Sequence, residues 1–295
     1  MWARTILIAL ILGSLVLCLF ALQEHFFSGS ANWNERGIAG GSGSYSTYLL
    51  TLLPALLWAG WVLPHKHRWS AISGLIALQL VIAVLTGQRT FWLVFAVQAL
   101  FALHLLRARG FVIVSASRVR AIATAVIVLA AVVVVGASAK RDMLEWTQDP
   151  RLTTWPAVAA RILQHPLAGE GFGRAIMKKA YPDLLSREYP EVWHAHNLFL
   201  NYGMSMGVPG MIAILLLFFA LLRTFWKLSG HGDRVIAAAG ICGVLLVVGV
   251  VARNLTTDFF QRDLALLFWS IAGMLLGYAQ HARYTADAAA SAVGE

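Results

Sequence analysis

The sequence predicts an all-α membrane protein with about eight transmembrane helices and one long hydrophilic segment. Hydrophobic residues make up 59% of the 295-residue chain, and charged residues make up only 13%. This composition is typical of a membrane protein and excludes an ordinary soluble domain with a large core. Because a segment in lipid must satisfy its own backbone hydrogen bonds, we expect the spans to be helices.

Eight stretches are apolar over about 20 residues, the length that crosses a bilayer. Their centres lie near Leu12, Leu53, Ala77, Val97, Val128, Leu216, Leu245 and Phe268. The first stretch lacks a signal-peptide cleavage motif, so we interpret it as a retained anchor. We therefore expect spans one to five in residues 1–139, a loop subdomain in 140–196, spans six to eight in 197–283, and a disordered tail in 284–295.

Basic residues in the short loops predict which side of the membrane each loop faces. One alternating set of loops holds eleven of them: Arg4, Lys66, Arg68, Arg107, Arg109, Arg118, Arg120, Arg223, Lys227, Arg234 and Arg283. The other set holds four: Arg36, Arg89, Arg253 and Arg262. Positive charge in short loops stays cytoplasmic, so both termini are expected inside. The net charge of +9 is then mostly a topology signal, and we expect no nucleic-acid partner.

The long hydrophilic segment from Lys140 to Trp193 is expected to face outward. Its eight basic residues nearly balance its seven acidic residues, which favours a folded subdomain over a basic tail. The run Thr153–Pro156 predicts a helix start, and the helix should end near Gln164. A turn that contains Gly169 and Gly171 follows. Its backbone amides either approach an anion or form a plain turn.

His194 and His196 stand at the end of this segment, directly before span six. A neutral imidazole can accept a proton near pH 7, so either residue is a candidate base. The alternative is a polar side chain that only reaches the membrane surface. If both continued the helix of span six, their rings would point about 200° apart, so only one would face a substrate. No third ligand has a suitable spacing, so we expect no metal.

Four arginines on the outward side are candidate phosphate ligands: Arg89, Arg151, Arg161 and Arg253. A guanidinium group binds phosphate oxygens in a forked geometry. Arg89 and Arg253 oppose the positive-inside pattern, and ionisable groups at membrane level usually face a cavity or a partner. A lipid-phosphate anchor, or an ion pair of Arg253 with Asp258, remains an alternative. Arg151 and Trp155 share one face if their helix begins early enough.

Two patterns in the sequence have a fixed spacing of polar residues and glycines. The first is His196-Asn197, followed after nine residues by Gly207-x-x-Gly210. The second is Arg151-x-x-x-Trp155 followed by the Pro-Leu-x-Gly-x-Gly turn Pro166–Gly171. Both patterns resemble those of the O-antigen ligase and polymerase superfamily of bacterial membrane glycosyltransferases. The resemblance runs from about residue 85 to residue 277.

Two outward arginines extend the resemblance. Arg89 falls where the family has an outward arginine, and Arg253–Thr256 resembles its last outward loop. Members usually have about twelve spans, so this chain is expected to correspond to the last eight.

The resemblance implies transfer of a glycan from an undecaprenyl-diphosphate carrier to a sugar hydroxyl in the periplasm, without a metal or other cofactor. His196 would be the catalytic base, and the four outward arginines would bind the diphosphate. Supporting roles would fall to His194, Asn197, Trp155, Gly169 and Gly171. The expected partners are the lipid-linked glycan, an acceptor and membrane lipid, in the bacterial inner membrane.

The identity of the acceptor remains open at this point. Lipid A–core would make the protein a ligase, which we favour. The growing repeat would make it a polymerase, and a protein serine would make it an oligosaccharyltransferase. A transporter of lipid-linked glycans is the alternative from another class. Transporters often show internal repeats and ionisable groups at the bilayer midplane, whereas this sequence shows no repeat and places its charges on the outer side.

Overall fold

The computed structural model of the protein describes residues 2–27, 41–64, 66–113, 115–139, 150–171, 173, 175–185, 194–258, 260 and 262–293. Within these ranges the secondary structure is helical, and they contain no strand. The predicted all-α class is therefore confirmed.

Ten α-helices and one 3₁₀ turn follow one another along this described part of the chain. They are α1 (Trp2–Phe27), α2 (Gly41–Val62), α3 (Arg68–Leu85), α4 (Arg89–Ala108), α5 (Ala116–Ala139), α6 (Arg151–Gln164), α7 (Ile176–Ala180), the 3₁₀ turn Pro182–Leu184, α8 (Leu198–Leu228), α9 (Arg234–Asn254) and α10 (Arg262–Val293).

Seven of the described helices are long and apolar enough to cross a membrane. They are α1, α2, α3, α4, α8, α9 and the Arg262–Thr285 part of α10. The protein is thus a multi-pass membrane protein, as predicted. The predicted fifth span coincides with α5, a 24-residue helix that is not among these seven. Helix α10 continues to Val293, so it extends through most of the residues predicted as a disordered tail.

The centre of the helix bundle is α9, which packs against α2, α4, α8 and α10. Its small residues allow this close approach, because a Cβ on Gly243 would lie only 2.0 Å from the ring of Phe225 in α8. Buried Gln98 of α4 joins the same centre, since its side-chain amide donates to the carbonyls of Leu50 (3.1 Å) and Leu245 (2.9 Å). The central helices are thus held by close packing and by hydrogen bonds within the membrane.

The basic loops meet at one end of the bundle. Arg234, the first residue of α9, donates to the carbonyl of Gly110, after α4, at 3.0 Å. The guanidinium of Arg109 lies 5.9 Å from the centre of the Trp226 ring near the end of α8. The starts of α2, α4 and α8 and the end of α9 meet at the opposite end, where the candidate site lies. Among the described residues, Arg109 and Arg234 of the more basic loop set thus lie at one end of the bundle, and Arg89 and Arg253 of the other set lie at the opposite end.

A small subdomain packs on the start of α8 at the site end. Helix α6 begins at Arg151, two residues before the predicted start, and ends at Gln164 as predicted. A second apolar core joins it to α7 and α8: Val158, Ile162, Ile176, Met177, Tyr181, Ala195 and Met204. Residues 140–149 and 186–193 of the predicted 140–196 subdomain lie outside the described residues.

Candidate active site

A kink in α8 holds the glycine turn that follows α6. Gly207 interrupts the helix with φ 68° and ψ −168°, a conformation that glycine adopts without a steric penalty. Three backbone hydrogen bonds dock the turn on this kink: Val208 N–H to Pro166 O (2.7 Å), Glu170 N–H to Met204 O (2.8 Å) and Gly171 N–H to Ser205 O (3.1 Å). The amides of the turn thus donate to α8, which agrees with the plain-turn interpretation.

Gly169 lies in direct contact with the backbone of α8. A Cβ at this position would lie 2.1 Å from the carbonyl carbon of Ser205 and 2.3 Å from the nitrogen of Met206. Only a hydrogen atom fits there. The two glycine motifs recognised in the sequence therefore form one packing unit, in which the turn fits against the kink.

Asn197 fixes the segment that carries the histidines to the start of α8. Its side-chain oxygen caps the helix by accepting from the amides of Phe199 (3.0 Å) and Leu200 (3.1 Å). Its side-chain nitrogen donates to the carbonyl of Leu255, after α9, at 2.9 Å. The indole of Trp155 donates to the carbonyl of Ala195 at 2.7 Å. Helices α6, α8 and α9 thus all hold the backbone around the histidines.

Asp258 is brought to His194 by the loop after α9. Both side chains are buried, and the carboxylate Oδ1 lies 3.3 Å from Nδ1 of His194. The other carboxylate oxygen, Oδ2, accepts a hydrogen bond from the side-chain nitrogen Nδ2 of Asn201 at 2.7 Å. Asn201 lies one turn after the helix cap, so α8 orients the carboxylate toward the imidazole.

The two imidazoles lie against each other. The ring centres of His194 and His196 are 3.8 Å apart, at an interplanar angle of 42°. The expectation that the rings point about 200° apart is wrong, because it assumed that both residues are helical, whereas α8 begins only at Leu198. His196 instead has φ 47°, and its amide donates to Nδ1 of His194 at 3.1 Å. This turn places the partly exposed His196 ring next to the buried His194 ring.

An open cleft of about 520 Å³ lies between α6 and the start of α8, and Asn197, the residue after His196, is part of its lining. It is lined by Arg151, Leu152, Trp155, Pro156, Ala159, Asn197, Phe199 and Leu200. Because α6 begins at Arg151, the prediction that Arg151 and Trp155 share one face is confirmed. The lining is mostly apolar, and a guanidinium group and the amide of Asn197 lie along it. Such a cleft suits a molecule with an apolar chain and an anionic group.

Arg253 is buried where α2, α4 and α9 meet, with only 1% of its surface exposed. Its guanidinium donates to the hydroxyls of Thr47 (3.1 Å), Ser46 (3.1 Å) and Thr90 and to the carbonyl of Gly43 (3.3 Å). These groups belong to the first turns of α2 and α4. Arg253 thus links α9 to α2 and α4 by hydrogen bonds at the site end of the bundle.

Arg89 and Arg151 lie at the same end as Arg253. Arg89 is the first residue of α4, half-buried, and directly precedes Thr90, which accepts from Arg253. Arg151 is near enough to Arg253 for the two positive charges to repel each other. The structure therefore gathers three of the four predicted arginines at one end of the bundle.

Arg161 lies further along α6, in a separate polar group. It forms an ion pair with Asp183, and its guanidinium lies 5.5 Å from the centre of the Tyr181 ring. Burial, together with the hydrogen bond that its hydroxyl donates to Glu170 (2.9 Å), raises the pKa of Tyr181 to about 12. These contacts join α6 to the segment around the 3₁₀ turn.

Comparison with families of known proteins matches the central part of this chain. A family described as O-antigen ligase matches residues 74–215. This match supports the O-antigen ligase and polymerase superfamily as the family that the chain resembles. No curated protein matches the chain. The superfamily consists of membrane glycosyltransferase-like enzymes, and the match confirms the resemblance inferred from the motifs.

The O-antigen ligase match covers most of the predicted site residues. It includes Arg89, Arg151, Trp155, Arg161, Gly169, Gly171, His194, His196 and Asn197. Arg253 and Asp258 lie after it. Among the described residues, no three His, Cys, Asp or Glu side chains are arranged to hold a metal ion.

Sequence reasoning missed the contact of Asp258 with His194. Asp258 entered only as a possible ion-pair partner of Arg253, because the two residues are near in sequence. The available signal was an acidic residue at membrane level between two spans, where a charge usually faces a partner.

Proposed function

We propose that this chain is an O-antigen ligase-like glycosyltransferase. It moves a glycan from undecaprenyl diphosphate to a sugar hydroxyl of lipid A–core at the periplasmic face of the inner membrane, without a metal. The observation that supports this proposal most strongly is the contact between the His194 and His196 rings, next to an apolar cleft that is lined by Asn197 and Arg151. Such a site contains a candidate base, a group that can bind an anion, and an apolar surface that can contact a lipid chain.

His196 is the proposed catalytic base. Its ring is partly exposed next to the cleft-lining Asn197, whereas the His194 ring is buried against Asp258. A neutral His196 takes the proton of the acceptor hydroxyl as its oxygen bonds to the anomeric carbon. The bond from that carbon to the phosphate oxygen breaks, and undecaprenyl diphosphate leaves. His194 and Asp258 position the base and do not touch the substrate.

The developing negative charge on the diphosphate needs stabilisation from fixed positive groups. Arg151 is the proposed first contact because it lines the cleft, and half-buried Arg89 is the proposed second. Arg253 supports the site from below with its positive charge and its bonds to α2 and α4. A diphosphate would touch it only if those bonds were exchanged. Arg161, in its ion pair with Asp183, is assigned the weakest contribution.

The proposed orientation places the site in the periplasm and both termini in the cytoplasm. The observation behind it is the concentration of basic residues in the loops at the other end of the bundle. Reporter fusions at Lys66 and Arg109 are expected to read cytoplasmic, and a fusion at Glu170 periplasmic. A cytoplasmic reading at Glu170 would contradict the proposal.

A reconstituted transfer assay tests the proposed function. The purified chain in lipid nanodiscs receives an undecaprenyl-diphosphate glycan and one of three acceptors: lipid A–core, a second lipid-linked glycan, or a serine-containing protein. We expect product with lipid A–core. Product with only the second or third acceptor would indicate a polymerase or an oligosaccharyltransferase. Movement of the donor across liposome membranes without any transfer would indicate a transporter.

A further inference from the structure

We propose that α6 lies in the surface of the membrane on the site side, with one apolar face in contact with lipid. This face, the leucine stripe, consists of Leu152, Pro156 and Leu163 of α6 and Leu167 of the turn that follows. The exposed fractions are 62% for Leu152, 71% for Leu163 and 82% for Leu167. Large apolar side chains side by side at such exposure mark an interaction surface.

The stripe is one side of an amphipathic helix. At about 100° per residue, Leu152, Pro156 and Leu163 fall within about 40° of one another around α6. The exposed polar residues Thr153 and Gln164 lie about a quarter turn away. Residues Val158 and Ile162, on another side, are buried against α7 and α8. The exposed surface of α6 is thus divided into an apolar strip and a polar strip.

The length of α8 sets the depth of the stripe. Residues 208–228 form a helix of about 32 Å at about 1.5 Å per residue, enough to cross a hydrocarbon core of about 30 Å when the long side chains of Arg223 and Lys227 extend their charges to the opposite surface. Gly207 therefore lies at the membrane surface, and Arg223 and Lys227 lie toward the opposite surface. The carbonyl of Pro166 bonds to the amide of Val208 at 2.7 Å. Leu167, the next residue, is held at the same depth.

Membrane lipid is the occupant that fits this position. A helix with a narrow apolar strip and a polar strip beside it is typical of a helix that lies in a bilayer surface. The stripe is also continuous with the cleft, since Leu152 and Pro156 belong to both. The cleft therefore opens onto lipid. A lipid-linked molecule can enter the cleft from the side, within the membrane. This inference depends on the depth of α6 and not on the proposed reaction.

Site-directed spin labelling tests the position of α6. Single cysteines replace Leu152, Leu163, Thr153 or Gln164, and a nitroxide is attached in nanodiscs of phosphatidylethanolamine and phosphatidylglycerol. The native residues Cys18 and Cys242 are both buried, so the unsubstituted protein gives the background labelling. Accessibility is measured to oxygen, which concentrates in lipid, and to a water-soluble nickel chelate. Thr153→Cys and Gln164→Cys are the matched controls on the polar strip.

We expect the oxygen-to-nickel ratio at Leu152→Cys and Leu163→Cys to exceed that of the controls by about threefold or more, because only the apolar side of an interfacial helix enters lipid. Equal nickel accessibility at all four positions would place the stripe in water and overturn the proposal. Low accessibility to both reagents at the leucines would indicate contact with a second copy of the chain, and would also overturn it. Neither outcome depends on transfer activity, so the proposed function is tested separately.

Discussion

The carboxylate of Asp258 lies 3.3 Å from Nδ1 of His194, although the two residues are far apart in the sequence. The same nitrogen accepts the backbone amide of His196 at 3.1 Å. Nδ1 can accept from that amide only when it carries no proton, and it donates to Asp258 only when it carries one. The protonation state of His194 is thus coupled to the backbone that orients His196.

This coupling predicts that Asp258→Asn impairs transfer without removing any group that touches the substrate. The substitution retains the shape of the side chain and removes its charge, so His196 loses its fixed orientation. A misplaced catalytic group costs on the order of 10²-fold in rate, and we expect a loss of about that size. The initial rate is measured at matched protein levels. Asp263→Asn, at an exposed acidic residue in the first turn of α10, is the control and is expected to retain the wild-type rate.

Arg151 lines the cleft and Arg161 does not, so we expect substitution of these two residues of α6 to have different effects on donor binding. Arg151→Lys retains the charge and loses the forked geometry, so we expect the KM for the lipid-linked donor to rise about tenfold. Arg161→Lys is the matched control. The ion pair of this residue with Asp183 is exposed and contributes only about 0–1 kcal/mol. The KM should therefore change little in this variant. An equal rise in both variants would contradict the assignment of the diphosphate to the cleft.

The bonds of Arg253 predict that Arg253→Lys lowers the stability of the bundle as well as its activity. A single ammonium group cannot replace all the hydrogen bonds by which the guanidinium joins α9 to α2 and α4. A hydrogen bond that involves a charged group contributes about 1.5–3 kcal/mol. We expect a lower melting temperature in detergent, whereas Arg283→Lys, an exposed residue of α10, should melt like the wild type. An unchanged melting temperature with a raised donor KM would favour direct contact with the diphosphate.

The fold was accessible from the sequence because span length and charge pattern are local properties. The apolar runs predicted the long helices, and the basic loops predicted which loops share an end of the bundle. The start of α6 was misplaced by two residues because Pro156 suggested a first turn, whereas the helix begins directly after Pro150 and accommodates Pro156 in its interior.

Only part of the candidate site could be predicted from the sequence. His196, Arg151 and Trp155 lie in short motifs with fixed spacing, so they could be identified. The contact of Asp258 with His194 joins two distant loops, and no spacing encodes it. The contact between the two histidine rings depends on the positive φ of His196 and on the cap at Asn197, because α8 begins only after the histidines. An asparagine directly before an apolar run is a cap signal that could have corrected this expectation.

The docking of the glycine turn predicts that Gly169→Ala separates the turn from α8. The added Cβ would overlap the backbone of Ser205 and Met206, and overpacking of this kind costs about 1–3 kcal/mol. We expect a lower melting temperature and reduced transfer. Gly74→Ala in α3 is the control, because no atom lies within 4 Å of the added Cβ. A variant at Gly169 that melts like the Gly74 variant would contradict the docked arrangement.

The proposed role of His196 as the base is tested most directly by the transfer rates of His196→Gln and His194→Gln in the reconstituted assay. Glutamine forms hydrogen bonds but is a poor base. Loss of a general base costs on the order of 10²- to 10⁴-fold, so His196→Gln should lose that much rate while donor binding is largely retained. His194→Gln should lose less, because it only positions the base. Near-normal turnover by His196→Gln would contradict the account and leave the arginines as the catalytic groups.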